Sequence, residues 1–443
     1  MPRIKYYYKH RSYNSISIKL KEKLERRDCN YIFFHHKYNY PIINIPKTAQ
    51  KLEFGDDFNQ LLDNLPNNII YIKTGYNYNQ PLNYLPYNLK TLILSSEYYH
   101  PLDFLPQSLE HLELGYNYNI SLNNLPIFLK TLILHHSYNL PLYNLPPYLE
   151  KLVLGFSYNN ELSNLPRNLK ILSCGLSFNK YLSELPDSIR YLKLGYKYSF
   201  ELTKFPNNLV ELVLNNNMSL DNLQYSKLKK LTLGHNFNQS INKLPITLIT
   251  LICGGDFNYP TDNLPANLES LILGNSYNHP LDNLPKNINI LIIGDNYNYP
   301  LDKLPNNLRN LKLGILFNYP LNNLPIGLQY LYLGDYYNLP LDYLPYNLLE
   351  LTTGIYYNQS LNLLPPQLNK LILGNYYNKT INSLPDTIKY LYIGTNFQQM
   401  IFIEYLPKML KELYLYSNYT HKMNLLYIQE NITQFNINIK IKI

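Results

Sequence analysis

The chain has 443 residues, only 16% of them charged, with 30 prolines, 47 tyrosines and no tryptophan. Pro and the abundant Asn are poor helix-interior residues, which excludes a long-helix protein, and 46% hydrophobic content excludes a disordered one. The formal net charge of +8 sits at the two ends. Residues 1 to 29 hold nine Lys/Arg against Glu22, Glu25 and Asp28, a net +6, and the tail from Ser417 holds Lys422, Lys440 and Lys442 against Glu430, a net +2. The body between them carries no net charge, which argues against a nucleic-acid groove along it.

In chain order, the polar, basic start Met1 to His10 lacks a signal-peptide apolar core, and no stretch reaches the roughly 18 apolar residues of a membrane helix. The reading is an intracellular, cytoplasmic protein without a membrane span. Ile16 to Arg27 sets Leu20 four residues before Leu24 and Glu22 four before Arg26. This spacing predicts a short amphipathic helix within the basic segment 1–29, capping the first coil of the body. Its basic residues suit nucleic acid or an anionic surface as the alternative.

From residue 30 to 416 the sequence repeats every twenty residues, with one slip of a single residue near 215. Fifteen of the 17 glycines keep this step, as at Gly55, Gly75 and Gly115 and then Gly234 to Gly394. Prolines recur with it from Pro46 to Pro206 and from Pro245 to Pro385, usually after Leu. Counting apolar-x-apolar cores from Ile32-Phe33-Phe34 to Leu413-Tyr414-Leu415 gives twenty units. In each, a triplet such as Leu112-Glu113-Leu114 has the alternation of a half-buried strand, both leucines inward. Gly115 ends that strand, either at positive φ or where the backbone passes close to a neighbour. Return segments such as Pro101 to Pro106 cannot be α-helical and are predicted to be extended or 3-10. A unit this short cannot bury its own leucines and must stack on copies of itself. The unit over Asn215 to Lys230 lacks both Gly and Pro, and a local break is expected there. The final Asn436 to Ile443 alternates apolar and polar residues, predicting an edge strand within a C-terminal cap over 417–443.

An aromatic recurs eighteen times, from Tyr38 to Tyr198 and from Phe237 to Phe397, and fifteen of these precede Asn, as in Tyr118-Asn119. Rings in register would fill the bend of each coil, and a repeated Asn amide would bond backbone groups of adjacent coils. The structural reading is preferred over a binding role, since a recognition surface should vary between units.

The unit Tyr78-Asn79-Gln80-Pro81-Leu82-Asn83-Tyr84-Leu85-Pro86-Tyr87-Asn88-Leu89-Lys90-Thr91-Leu92-Ile93-Leu94 resembles the FNIP repeat, a relative of the leucine-rich repeat abundant in social amoebae and in giant viruses of amoebae. The resemblance covers about residues 30 to 416. It implies a right-handed, mainly β solenoid that serves as an interaction module, sometimes joined to an F-box in a ubiquitin-ligase substrate receptor. Only some 30 residues precede the first unit here, short for a three-helix F-box and without its usual Leu-Pro opening.

No catalytic, cofactor or metal constellation emerges. Cys174 and Cys253 occupy inward strand positions, and with Cys29 they read as free thiols. His35-His36 and His135-His136 are five units apart, about 24 Å, too far for one metal. The Asn-x-Ser/Thr matches at Asn119, Asn238, Asn358 and Asn378 belong to the periodic Asn column. Function is therefore expected on the solvent face of the sheet, where Ile252, Ile272 and Ile292 should line up in adjacent strands, with Tyr330, Tyr332, Tyr390 and Tyr392 extending the patch. The reading is a non-enzymatic scaffold for one or more protein partners. Its alternatives are a ubiquitin-ligase substrate receptor, from the resemblance, and nucleic-acid or anionic-surface binding through the basic N-terminus.

Overall fold

The computed structural model describes residues 30–415 except 43, 44, 183 and 203. The expected capping helix over Ile16 to Arg27, Cys29 and the C-terminal cap with its strand lie outside the described residues. The architecture is a parallel β-solenoid. Twenty strands of three or four residues are described, from Tyr31–Phe33 to Glu412–Leu415. They fall into two compact units, one ending at Asn216 and one beginning at Asn217. Within each unit, strands next in sequence pair in parallel and in register at the repeat step. Leu92 faces Leu112 and Leu112 faces Leu132 in the first unit, and Leu251 faces Leu271 in the second.

The register follows from which residues are apolar. Leu92, Leu112 and Leu132 have no solvent exposure, while the residues on either side of each are half-buried. A slip by one residue would turn this column outward. Behind the strands, the aromatic column is also fully buried and its rings stack, Tyr118 on Tyr138 at 6.4 Å between centroids and Tyr357 on Tyr377 at 6.3 Å. Stacking at the coil spacing supplies the core that no single coil could form.

Two tight turns reverse each coil. In the unit around Gly115, the Leu109 N–H donates to the Pro106 carbonyl at 3.0 Å and the Tyr118 N–H to the Gly115 carbonyl at 3.2 Å. The returns are thus extended segments joined by turns; among the described residues 3-10 helix occurs only at Asp221–Leu223 and Ile403–Tyr405. The glycine slot is explained by close approach, because no described glycine has positive φ. A Cβ at Gly115 would lie 1.6 Å from the Ser95 carbonyl oxygen of the preceding coil.

Where the repeat slips, Asn215 takes the glycine slot and Asn216 donates through Nδ2 to the Tyr198 carbonyl at 2.6 Å. The return that follows becomes the 3-10 turn Asp221–Leu223, with Leu220 and Leu223 buried, and Met218 fills the aromatic column. This is the expected local break.

Candidate interaction surfaces

Alternation along each strand leaves two outward columns per unit, and their composition differs between the units. In the second unit, Ile252, Ile272 and Ile292 pair directly across strands Thr250–Ile252, Ser270–Ile272 and Ile290–Ile292. All three are half-buried, and Ile290 beside Ile292 widens the stripe. Lys312, exposed on the next strand, separates the stripe from Tyr330 and Tyr332. Tyr390 and Tyr392 lie further along, beyond Lys370, whose Nζ is 3.4 Å from Glu350 Oε2. Tyr392 instead stacks on Tyr414 at 4.3 Å, and the Tyr414 hydroxyl donates to Glu412 at 2.8 Å. The seven candidate residues therefore form three groups on one face: the isoleucines, Tyr330 with Tyr332, and Tyr390 with Tyr392.

The same face of the first unit is mixed, with charged residues set among apolar ones such as Ile93, Ile133 and Val153. Glu53 receives Lys73 Nζ at 2.8 Å and the Tyr31 hydroxyl. Glu113 is gripped by His135 Nε2 at 3.0 Å, with His111 Nε2 at 3.8 Å. The His111 and His135 imidazoles beside it hold its carboxyl down at about 2, against the opposing effect of burial. One column further, Glu110 bridges Lys90 and Lys130 at 2.7 Å each. Across this surface lies a cleft of about 460 Å³ whose lining includes Phe33, Glu53, Asp56, Lys73, Tyr76, Glu113 and Tyr116. Sequence reasoning missed it, because its charged lining residues stand in columns whose identity changes from coil to coil.

The Asn column behaves as structure. Asn39 Oδ1 accepts the Asn59 N–H at 2.9 Å, Asn59 the Asn79 N–H at 2.8 Å, and Asn338 the Asn358 N–H at 2.9 Å, coil after coil. All four glycosylation-like residues hold this ladder: Asn119 accepts from Asn139, Asn238 from Asn258, Asn358 from Asn378 and Asn378 from Gln398. Cys174 and Cys253 are buried free thiols, and burial raises both thiol pKa values. Among the described residues no group of three or more His, Cys, Asp or Glu could hold a metal ion, and no helix is long and apolar enough to cross a membrane.

Greater exposure occurs on the returns than on the strand face. Tyr84, Phe104 and Tyr143 in the first unit, and Ile326, Tyr343 and Tyr346 in the second, project into solvent. Tyr336, Tyr356 and Tyr376 form a further exposed stack with spacings of 5.1 and 5.0 Å. The available signal was an apolar residue at the variable positions beside Leu-Pro, such as Tyr84 before Leu85-Pro86.

The family model described as FNIP Repeat matches residues 58–97, 83–117, 98–137, 277–315, 357–396 and 377–418. No curated protein matches the sequence. Among solved structures, CroV588, a circular LRR protein from a giant virus, is 34% identical over 85% of this chain with a TM-score of 0.73. The chain spans 60% of the length of that protein. YopM from Yersinia enterocolitica WA-314 is 22% identical, with 91% of this chain and 94% of YopM covered and a TM-score of 0.48.

Proposed function

The chain is an FNIP-repeat protein with a leucine-rich-repeat-like fold, and from that premise we propose that it is a non-enzymatic scaffold binding a protein partner through the strand face of its second unit. The observation that carries this reading is the in-register stripe of Ile252, Ile272 and Ile292. β-Branched residues favour strands by themselves, but three on adjacent outward positions keep apolar surface in water that a partner would cover. Tyr330 and Tyr332, one strand beyond Lys312, would serve as anchors at the edge of that contact.

The test is partner recovery from cells with the full chain and with the double variant Ile272→Asp/Tyr332→Asp. An unpaired carboxylate in an apolar interface costs several kcal/mol, enough to erase a micromolar complex. Loss of a specific partner, with the far-ultraviolet dichroism and thermal transition unchanged, supports the proposal. Undiminished recovery by the folded variant contradicts it.

A further inference from the structure

We infer that the cleft on the strand face of the first unit binds a cationic, tyrosine-flanked segment, and that its occupant is the chain's own residues 1–29. Three carboxylates in the lining, Glu53, Asp56 and Glu113, oppose one ammonium, Lys73, leaving a formal charge of −2 with the lining His36 and His135 counted neutral. Lys73 already pairs with Glu53 and the His111 and His135 imidazoles hold Glu113, so Asp56 is the main anchoring charge and Glu113 a second one shared with its histidines. Phe33, Tyr76 and Tyr116 add aromatic surface on which Lys and Arg stems pack and over which their charges sit favourably.

Residues 1–29 match this chemistry, with a net charge of +6 and the run Arg3-Ile4-Lys5-Tyr6-Tyr7-Tyr8-Lys9 interleaving bases and aromatics. They also start from the right place. The segment enters strand Tyr31–Phe33, and Phe33 itself lines the cleft. From the coil of Phe33 to that of His135 is five strand steps, about 24 Å, whereas 29 extended residues reach at most about 100 Å. Tethering at the edge of the site gives the segment a high effective concentration there, so weak charge-pair contacts suffice to keep it docked. The site lies in the first unit and is independent of the partner face proposed above.

Limited trypsin digestion of the full chain tests this, since the nine Lys/Arg of residues 1–29 report on docking through the peptides released. In wild-type protein at low salt, cleavage within residues 1–29 should be at least about tenfold slower than in Asp56→Lys/Glu113→Lys, and about 0.5 M salt should abolish the difference. Asp302→Lys/Asp342→Lys in the second unit, and Ile272→Asp on the partner face, should leave the protection intact. If the lysine variant loses its cooperative thermal transition, Asp56→Asn/Glu113→Gln decides, with partial loss of protection expected. Equal cleavage of wild type and folded cleft variants would overturn the inference, as would protection that survives in those variants. Protection that grows with protein concentration would assign the cleft to the segment of a second copy and overturn the intramolecular assignment.

Discussion

Tyr118 is fully buried and its hydroxyl has no protein partner, whereas the equally buried Tyr277 shares a 2.8 Å hydrogen bond with Thr261. The difference lies sixteen residues upstream, where Thr261 stands in a column otherwise filled by residues such as Leu102 and Leu281. A buried hydroxyl without a partner costs about 1–3 kcal/mol, so Tyr118→Phe should be neutral or stabilising in denaturant melts, while Tyr277→Phe should cost about 1 kcal/mol by orphaning Thr261. Deleting the whole ring is another matter. Tyr118→Ala should cost about 3 kcal/mol or more, against less than about 1 kcal/mol for Ile272→Ser on the outward face; the reverse order would mean that the two faces are misassigned. The ring column was legible from its twenty-residue step alone, but the fate of each hydroxyl was not, because it depends on one non-repeating residue. Glycine shows the same limit: periodicity marked the slot without separating positive φ from close approach. Since the Ser95 carbonyl would sit 1.6 Å from a new Cβ, Gly115→Ala should cost about 1–3 kcal/mol, whereas Gly327→Ala meets only the movable end of Arg309 and should be nearly silent.

At the scale of one coil, strand, glycine turn and proline turn were readable because each is marked by residues that recur. What joins neighbouring coils on the outward face was not readable, since it depends on pairs such as Glu113 with His135, 22 residues apart, that occur once. Glu113 makes this contact measurable. Its carboxyl falls from the ordinary 4.5 to about 2 in the folded chain because the His111 and His135 imidazoles lie beside it, His135 within hydrogen-bond distance. A depressed carboxyl stabilises the fold above its unfolded value, and that contribution is lost as pH falls from about 4.5 towards about 2. Glu113→Gln should therefore flatten the acid limb of the stability profile over that window and change little of its slope above it. An acid limb identical to wild type would show that the carboxylate is not held by its neighbours. The Asn ladder, by contrast, was legible as scaffold because it repeats, and Asn139 accepting the Asn159 N–H at 2.9 Å is one of its rungs.

Across the molecule, the repeating columns build the solenoid and the non-repeating ones decide what it touches. The alignment of Ile252, Ile272 and Ile292 was legible because register follows from the repeat length; their separation from Tyr330 and Tyr332 by Lys312 follows from the same register. The strong exposure of Ile326, Tyr343 and Tyr346 on the returns was not legible, because the return has no alternation from which to read a side-chain direction. These returns are the competing surface, and hydroxyl-radical footprinting of the full chain, alone and bound to its recovered partner, separates the two directly. The partner should protect Ile252, Ile272, Ile292 and Tyr332 while Ile326, Tyr343 and Tyr346 stay as reactive as in the free chain. Protection of the return residues with the isoleucine stripe still reactive would contradict binding through the strand face.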